Sequence, residues 1–329
     1  MMEPIIAPID KRLILKELSE DKFLKKTNRG DNELYILDNN NAPNTMLEIG
    51  RLREISFRLA GGGTGKSIDI DQFDISENPY KQLIVWNPRE QEILGGYRYI
   101  HTGECDISDL ATSELFRFSE KFRTDYMPYT VELGRSFVQP DFQSSRRNSK
   151  SLYALDNLWD GIGGLIVSCP NLRYLFGKVT MYTTYNVEAR NMVLYFLQKY
   201  FPDNENLVRP LAPLELNIDT QALDALFTGH SYNEDHKILS REVRALGEYI
   251  PPLINSYMNL SATMKTFGTA INHEFGAVEE TGILVTISDT YPDRMDRHLT
   301  LHHRQRGTAV ISQLFPRRRG RRNSNNGSL

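Results

Sequence analysis

Two groups of residues combine reactive side chains with informative spacing. The first is the run at 130–153, TVELGRSFVQPDFQSSRRNSKSLY. It opens as an apolar-alternating strand (Val131, Leu133, Phe137, Val138) that carries a carboxylate, Glu132, and a guanidinium, Arg135. The strand breaks at Gln139-Pro140, passes through a Ser/Arg/Asn-rich turn at 144–149 and leads into a helix-like run from near Leu152. Strand, basic turn and helix in that order aim backbone N–H groups and a helix N-terminus at a phosphate. The second group is a spaced set of charges, Arg53, Asp69, Asp71, Asp74 and Arg98. Strict alternation puts Glu132, Gly134 and Ser136 on one strand face and Arg135 on the other, so the strand would serve an acceptor site and a packed ion pair separately.

Periodicity supplies the elements that position these groups. Residues 1–44 read as an N-terminal extension packed on the core, with a helix over 11–24. A strong helix starts at Thr45, where Met46, Ile49, Leu52, Arg53, Ile55, Ser56 and Leu59 keep a helical period until Gly61-Gly62-Gly63. On this helix Arg53 and Phe57 lie four residues apart and share a face. Strands at 82–86 and 92–100 make a hairpin around Asn87-Pro88-Arg89-Glu90. A turn or short helix over 115–122 precedes the 130–138 strand. A helix over 151–167 follows it, then a strand at 175–182 and an amphipathic helix at 186–200 with Asn186 as N-cap. Residues 201–235 are loop-rich, helices are expected at 237–249 and 253–258, and a last strand at 282–287. This order indicates a mixed α/β core domain over 45–300, followed by a basic, disordered tail over 301–329.

Composition sets the class. The chain has 329 residues, 40% hydrophobic and 25% charged, ordinary values for a globular protein. Cys105 and Cys169 sit in no metal-type or redox-type spacing, which argues against a disulfide framework and for a reducing cytosol. No signal segment and no membrane span are evident, so a cytoplasmic protein is expected. Seven arginines and no acid lie between 301 and 329; the chain's 39 basic residues less those seven leave 32 against 42 acids. A basic tail on an acidic body suits an anionic membrane surface or an acidic carrier protein, with peripheral contact at the inner membrane; nucleic acid is not expected.

Two motifs resolve into ordinary loops. Residues 60–67, AGGGTGKS, loosely fit a phosphate-binding P-loop, but a helix precedes them and an acidic run follows, where that loop needs a strand before and a helix after. His230 and Asp235 echo a His–acid acyltransfer motif, but no companion blocks follow, and a surface loop is the simpler reading.

Taken together, Leu52-Arg53…Phe57, Asp69-x-Asp71-x-Phe73-Asp74, Gly95-Gly-Tyr-Arg98 and Glu132-Leu-Gly-Arg135-Ser-Phe-Val138 resemble the acyl-homoserine-lactone synthases and their relatives in the GNAT superfamily. The Glu132–Val138 pattern with Leu158-Trp159-Asp-Gly161-Ile162 and Leu175-Phe-Gly177-Lys178 is more similar still to the hemolysin-like N-acyltransferases that make ornithine and glycine lipids, on their glycine-lipid branch. The resemblance covers roughly 45–298. It implies a GNAT-like central mixed sheet whose parallel strands, 131–138 and 176–182, splay apart around the donor. It also implies transfer of a (3-hydroxy)acyl group from acyl carrier protein, as its 4'-phosphopantetheine thioester, to the amine of glycine or ornithine, with no bound cofactor or metal. The usual glycine-bearing pyrophosphate loop is replaced by 143–148, QSSRRN, which suits a carrier-bound arm better than free coenzyme A. An autoinducer-synthase-like enzyme and a non-catalytic acyl-binding module of the same fold remain open readings.

Within this frame Glu132, directly or through a water, is the expected general base, with Ser136 beside it, and Arg135 would ion-pair with an Asp of the 69–74 cluster and hold the acceptor pocket together. Arg53 or Arg98 would grip the acceptor carboxylate, and Asp69, Asp71 and Asp74 would complete the charge cluster. Phe137, Val138, Ser145, Arg146 and Arg147 would bind the donor, and Phe57 and Trp159 would line the acyl pocket.

Overall fold

The computed structural model describes residues 2–142, 153–292 and 298. Helix α1 (Lys11–Glu17) leads into strands β1 (Phe23–Lys26) and β2 (Glu33–Leu37), then into the long helix α2 (Pro43–Ala60). Proline in the first turn and a left-handed Gly61 after the last fix the ends of α2. A single turn, α3 (Gln72–Ile75), precedes the hairpin β3 (Lys81–Asn87) and β4 (Glu92–His101). Strand β5 (Phe116–Phe118) and strand β6 (Thr130–Val138) follow, then helix α4 (Ala154–Ser168), β7 (Tyr174–Met181) and α5 (Val187–Tyr200). The C-terminal part holds β8 (Val208–Pro210), α6 (Thr220–Leu226), α7 (Tyr232–Ala245), α8 (Pro252–Met258), β9 (Lys265–Asn272) and β10 (Val278–Thr286).

One eight-stranded sheet runs in the order β1-β2-β3-β4-β6-β7-β10-β9. Its pairings are antiparallel except β6 with β7, which are parallel and joined through α4. Alternation sorts its side chains into two cores. Leu83, Val85, Tyr97, Val131, Leu175 and Ile283 pack towards α4, α5, α7 and α8. Ile84, Trp86 and Phe137 pack under α2, and Ile100, Phe176 and Leu284 continue that face towards β5.

The sequence expectations hold for α2, the hairpin, β6, β7, the Asn186 cap on α5 and the mixed α/β class. They fail where pairing is long-range. The helix expected over 11–24 stops at Glu17, and 23–37 instead supplies two strands of the main sheet. The turn or helix expected over 115–122 contains β5, which pairs with β8 inside the segment read as loop. Helix α7 starts at Tyr232, not 237, and β9 had no counterpart in the sequence reading. The basic tail, 301–329, lies outside the described residues.

Candidate active site

Parallel pairing joins Thr130–Leu133 of β6 to Tyr174–Gly177 of β7 and goes no further. Beyond that point β6 continues against β4 and β7 continues against β10, so their facing edges part. A cleft of about 250 Å³ opens there, with Gly134, Arg135 and Ser136 on one side and Gly177, Lys178 and Thr180 on the other. Leu133, Tyr97, Ile162, Leu175, Leu253 and Ile283 line it from the α4/α8 face of the sheet, while Phe57, Tyr182, Phe275 and Glu280 line it from the α2 face. It is a slot through the sheet, apolar on one side and charged on the other, where Arg135, Lys178 and Glu280 stand among the aromatic rings of Phe57, Tyr182 and Phe275. The Tyr97 hydroxyl is buried without a hydrogen-bond partner among the described residues.

A bulge shapes the β6 side. Gly96 pairs with Phe137 and Arg98 with Gly134, so Arg135 and Ser136 together oppose Tyr97. Arg135 adopts a left-handed backbone, φ 50°, at a cost on the order of 1–3 kcal/mol for a non-glycine residue. The extra residue shifts the alternation: Leu133 faces the α4 core and Phe137 the α2 core. Arg135 therefore joins the same charge network as Arg98, which corrects the expectation that it would occupy a separate face from Glu132. Its guanidinium lies 3.0 Å from Asp69 and 3.5 Å from Asp71, with its carbon 4.0 Å above the Phe275 ring.

The network continues inward. Arg98 pairs with Asp71 (2.6 Å) and Asp74 (3.1 Å), and Arg53 donates to both oxygens of Asp74 and to Gln82. Arg53 is 0% and Arg98 3% exposed. Both are committed to buried carboxylates and neither lines the slot, so the expectation that one of them grips the acceptor carboxylate is corrected. Glu132 is likewise withdrawn, 2% exposed and absent from the slot wall. The Tyr80 hydroxyl (2.9 Å) and Thr112 N–H (3.2 Å) donate to its Oε1, and the Thr112 hydroxyl (2.6 Å) donates to its Oε2. A carboxylate so enclosed makes no direct contact with an amine in the slot, which corrects the direct form of the expected general base and leaves the form relayed through a water.

The remaining expected residues divide. Ser136 is exposed at the slot and Phe57 lines it, in edge contact with Phe275. Trp159 stands one layer behind, edge-on to the lining Tyr257 at 5.9 Å. Phe137 is buried under α2, and Val138 lends its carbonyl to Ser56. Ser145, Arg146 and Arg147 lie outside the described residues. Residues 60–67 behave as a loop, with Glu54 receiving the N–H groups of Thr64 and Gly65. The surface loop expected for His230 and Asp235 is corrected, because of that pair only His230 is exposed, while Asp235 is buried in the first turn of α7 and binds Tyr200 and Gly229.

The comparisons with known proteins agree with this geometry. The acetyltransferase (GNAT) domain model matches residues 52–152. A glycine N(alpha)-acyltransferase of Phocaeicola vulgatus is 54% identical over 314 residues, covering 94% of this chain and 96% of that protein. A protein of the same name from Bacteroides thetaiotaomicron is 55% identical over 303 residues, covering 91% and 90%. This chain belongs to the GNAT N-acyltransferases. The solved AHL synthase LasI, 14% identical with a TM-score of 0.29 over 50% of this chain and 77% of its own, is too slight a likeness to bear on function.

The slot of this acyltransferase is also lined by three residues to which the sequence assigned no role: Lys178 and Tyr97, met only inside longer motifs, and Glu280. Only Lys178 had a local signal, as the one charge in its strand; Tyr97 sits beside Arg98 and Glu280 beside Glu279, where neither stands out. What the sequence lacks is the pairing of β7 with β10 that brings Lys178 to Glu280.

The enzyme's buried acids differ in sign. Burial pushes the carboxyls of Glu132 and Asp69 up, against hydrogen bonds to the first and arginines beside the second. Asp74 is similarly buried, yet Arg53 and Arg98 outweigh that burial and hold it well below the usual carboxylate range. Its stabilisation is therefore complete above the ordinary carboxylate pKa near ~4 and is lost as pH falls through the lowered folded value. Glu132 and Asp69 act oppositely: the folded state holds their protons more tightly than the unfolded chain, so they favour folding as pH falls and oppose it above their raised values. Urea unfolding should show Asp74→Asn less stable than wild type at pH 7, with the gap shrinking below about pH 4. Glu132→Gln should be no less stable than wild type at pH 8. A pH-independent gap for the first, or a loss growing with pH for the second, would reverse these assignments.

Proposed function

We propose that this N-acyltransferase passes a (3-hydroxy)acyl group from acyl carrier protein to the α-amine of glycine, as a step in making an amino-acid-containing lipid. The observation that carries the reading is the parting of β6 and β7 into a slot that is apolar on one side of the sheet and charged on the other. An acyl thioester arm has the amides and the greasy tail to suit the first side, and a small zwitterion suits the second. The unpaired edges of β6 and β7 offer backbone groups to the arm's amides, and a β6 N–H is the candidate donor to the carbonyl oxygen as it becomes an oxyanion. Glycine is taken from the names of the two relatives, which align with this chain over nearly its whole length.

The carrier-bound donor rests on the turn at 143–148, where Arg146 and Arg147 would meet the single phosphate of the arm. The arginines of 301–329 would rest on an anionic membrane, where the product accumulates.

The test is direct. Purified enzyme is given acyl carrier protein or coenzyme A carrying the same 3-hydroxyacyl chain, with glycine or ornithine, and products are identified by mass spectrometry. N-acylglycine formed faster from the carrier-bound thioester is the expected result. Equal or faster turnover with coenzyme A overturns the donor, N-acylornithine as the main product overturns the acceptor, and no N-acyl product overturns the reaction.

A further inference from the structure

Among the described residues, three charged side chains line the slot: Arg135, Lys178 and Glu280. Arg135 is committed to Asp69 and Asp71. Lys178 and Glu280 belong to no part of that network. Lys178 stands on β7 and Glu280 on β10, and they form an ion pair across those neighbouring strands. Glu280 is only 3% exposed. Its orientation is set by Asn272 Nδ2 at 3.2 Å and by the Thr180 hydroxyl at 3.4 Å, and Thr180 also lines the slot. An ion pair buried this deeply contributes little to stability on its own, because desolvation cancels most of the attraction. At the wall of a ligand slot it has a second use. An ammonium Nζ has three donors; among the described residues Lys178 forms an ion pair with Glu280 alone, and its charge also reaches Glu132.

We propose that Lys178 and Glu280 read the acceptor as an amino acid, Glu280 taking the α-ammonium and Lys178 the α-carboxylate. The assignment rests on the proposed acyl transfer to glycine and names the residues that select its acceptor. Glycine is itself a small ion pair, so inserting it between Lys178 and Glu280 replaces one contact by two of the same kind, with no charge left unpaired. The carboxylate of Glu280 removes a proton from the ammonium, and the freed nitrogen lone pair attacks the thioester carbonyl carbon. The C–N bond forms and the C–S bond breaks. Of the two protons the nitrogen gives up, one ends on the departing thiolate and the other passes from Glu280 to solvent. An amine without a carboxylate leaves Lys178 facing an empty position, which is the basis of discrimination.

The full-length enzyme tests this with glycine and glycinamide as competing acceptors and a fixed acyl thioester. Lys178→Met should raise KM for glycine by roughly 10- to 100-fold, the worth of one hydrogen bond to a charged group. Its preference for glycine over glycinamide should fall by a similar factor, while KM for the thioester stays within about two-fold. Lys178→Arg keeps the charge and should keep the preference, which guards against a merely structural effect of the methionine. Glu280→Gln is nearly isosteric and should lower kcat by about 100-fold or more, since a general base is removed. An unchanged glycine-to-glycinamide ratio in Lys178→Met, or an unchanged kcat in Glu280→Gln, overturns the assignment. If wild type forms no N-acylglycine the proposed reaction itself fails; if wild type does and both variants match it, the acceptor assignment alone fails.

Discussion

Arg53→Ala should lower the unfolding free energy by about 3–5 kcal/mol, the cost of removing one partner from a buried ionic network. Arg53 projects from α2 with no exposed surface and binds Asp74 and Gln82. Asp74 in turn holds Arg98 on β4, and Arg98 holds Asp71, which caps α3 by accepting from the Phe73 N–H. Loss of Arg53 therefore leaves a buried carboxylate with half its compensation and loosens the joint between α2 and the β3–β4 hairpin. Arg53→Lys restores one point charge but not the forked contact to Asp74 and Gln82, and should recover only part of the loss. Urea denaturation at pH 7 measures both. A loss under about 1 kcal/mol for Arg53→Ala would mean that the network contributes no more than exposed pairs do.

The second large effect separates two glycines that face each other across the slot. A Cβ at Gly177 would meet the Leu133 carbonyl oxygen at 2.5 Å, inside the last parallel pair of β6 and β7. A Cβ at Gly134 would meet nothing nearer than the Arg98 side chain at 3.7 Å. Gly177 is thus required by the fold, whereas Gly134 keeps the slot open. Gly134→Leu should reduce acyl transfer by about 100-fold or more by occupying the place of the reacting groups, while Tm moves by no more than about 3 °C. Gly177→Ala should instead destabilise, by roughly 1–3 kcal/mol, as overpacking against rigid backbone does. Thermal melts and initial rates on the two purified variants check the contrast. A Gly134→Leu enzyme with full activity would place the acyl transfer elsewhere.

What the sequence disclosed follows the range of the forces involved. Helix α2, the hairpin and the Asn186 cap are written in neighbouring residues, through helical period, turn chemistry and capping oxygens. Strands β6 and β7 were each legible as strands, whereas their parallel pairing came from the resemblance to GNAT enzymes. The bulge was not, since a period of two cannot announce its own interruption, and the single hint is Gly134 beside Arg135. Misplacing that one residue misplaced the faces of the strand. Glu132 was read as a reacting group because nothing local shows that Tyr80 and Thr112 enclose it. Lys178, quoted only as part of a motif, and Glu280 were given no role for the same reason, since strand pairing is what brings them together.

The slot's two-sidedness bears on how such an enzyme diversifies. On β7, Leu175 lines the slot from the α4 side and Lys178 and Thr180 line it from the other, so under the proposed reaction positions a few residues apart would answer to different substrates. Selection on chain length and selection on the amine then act on separate sets of residues within the same few strands. A lineage can exchange one amino-acid head group for another without relearning how to hold its acyl chain.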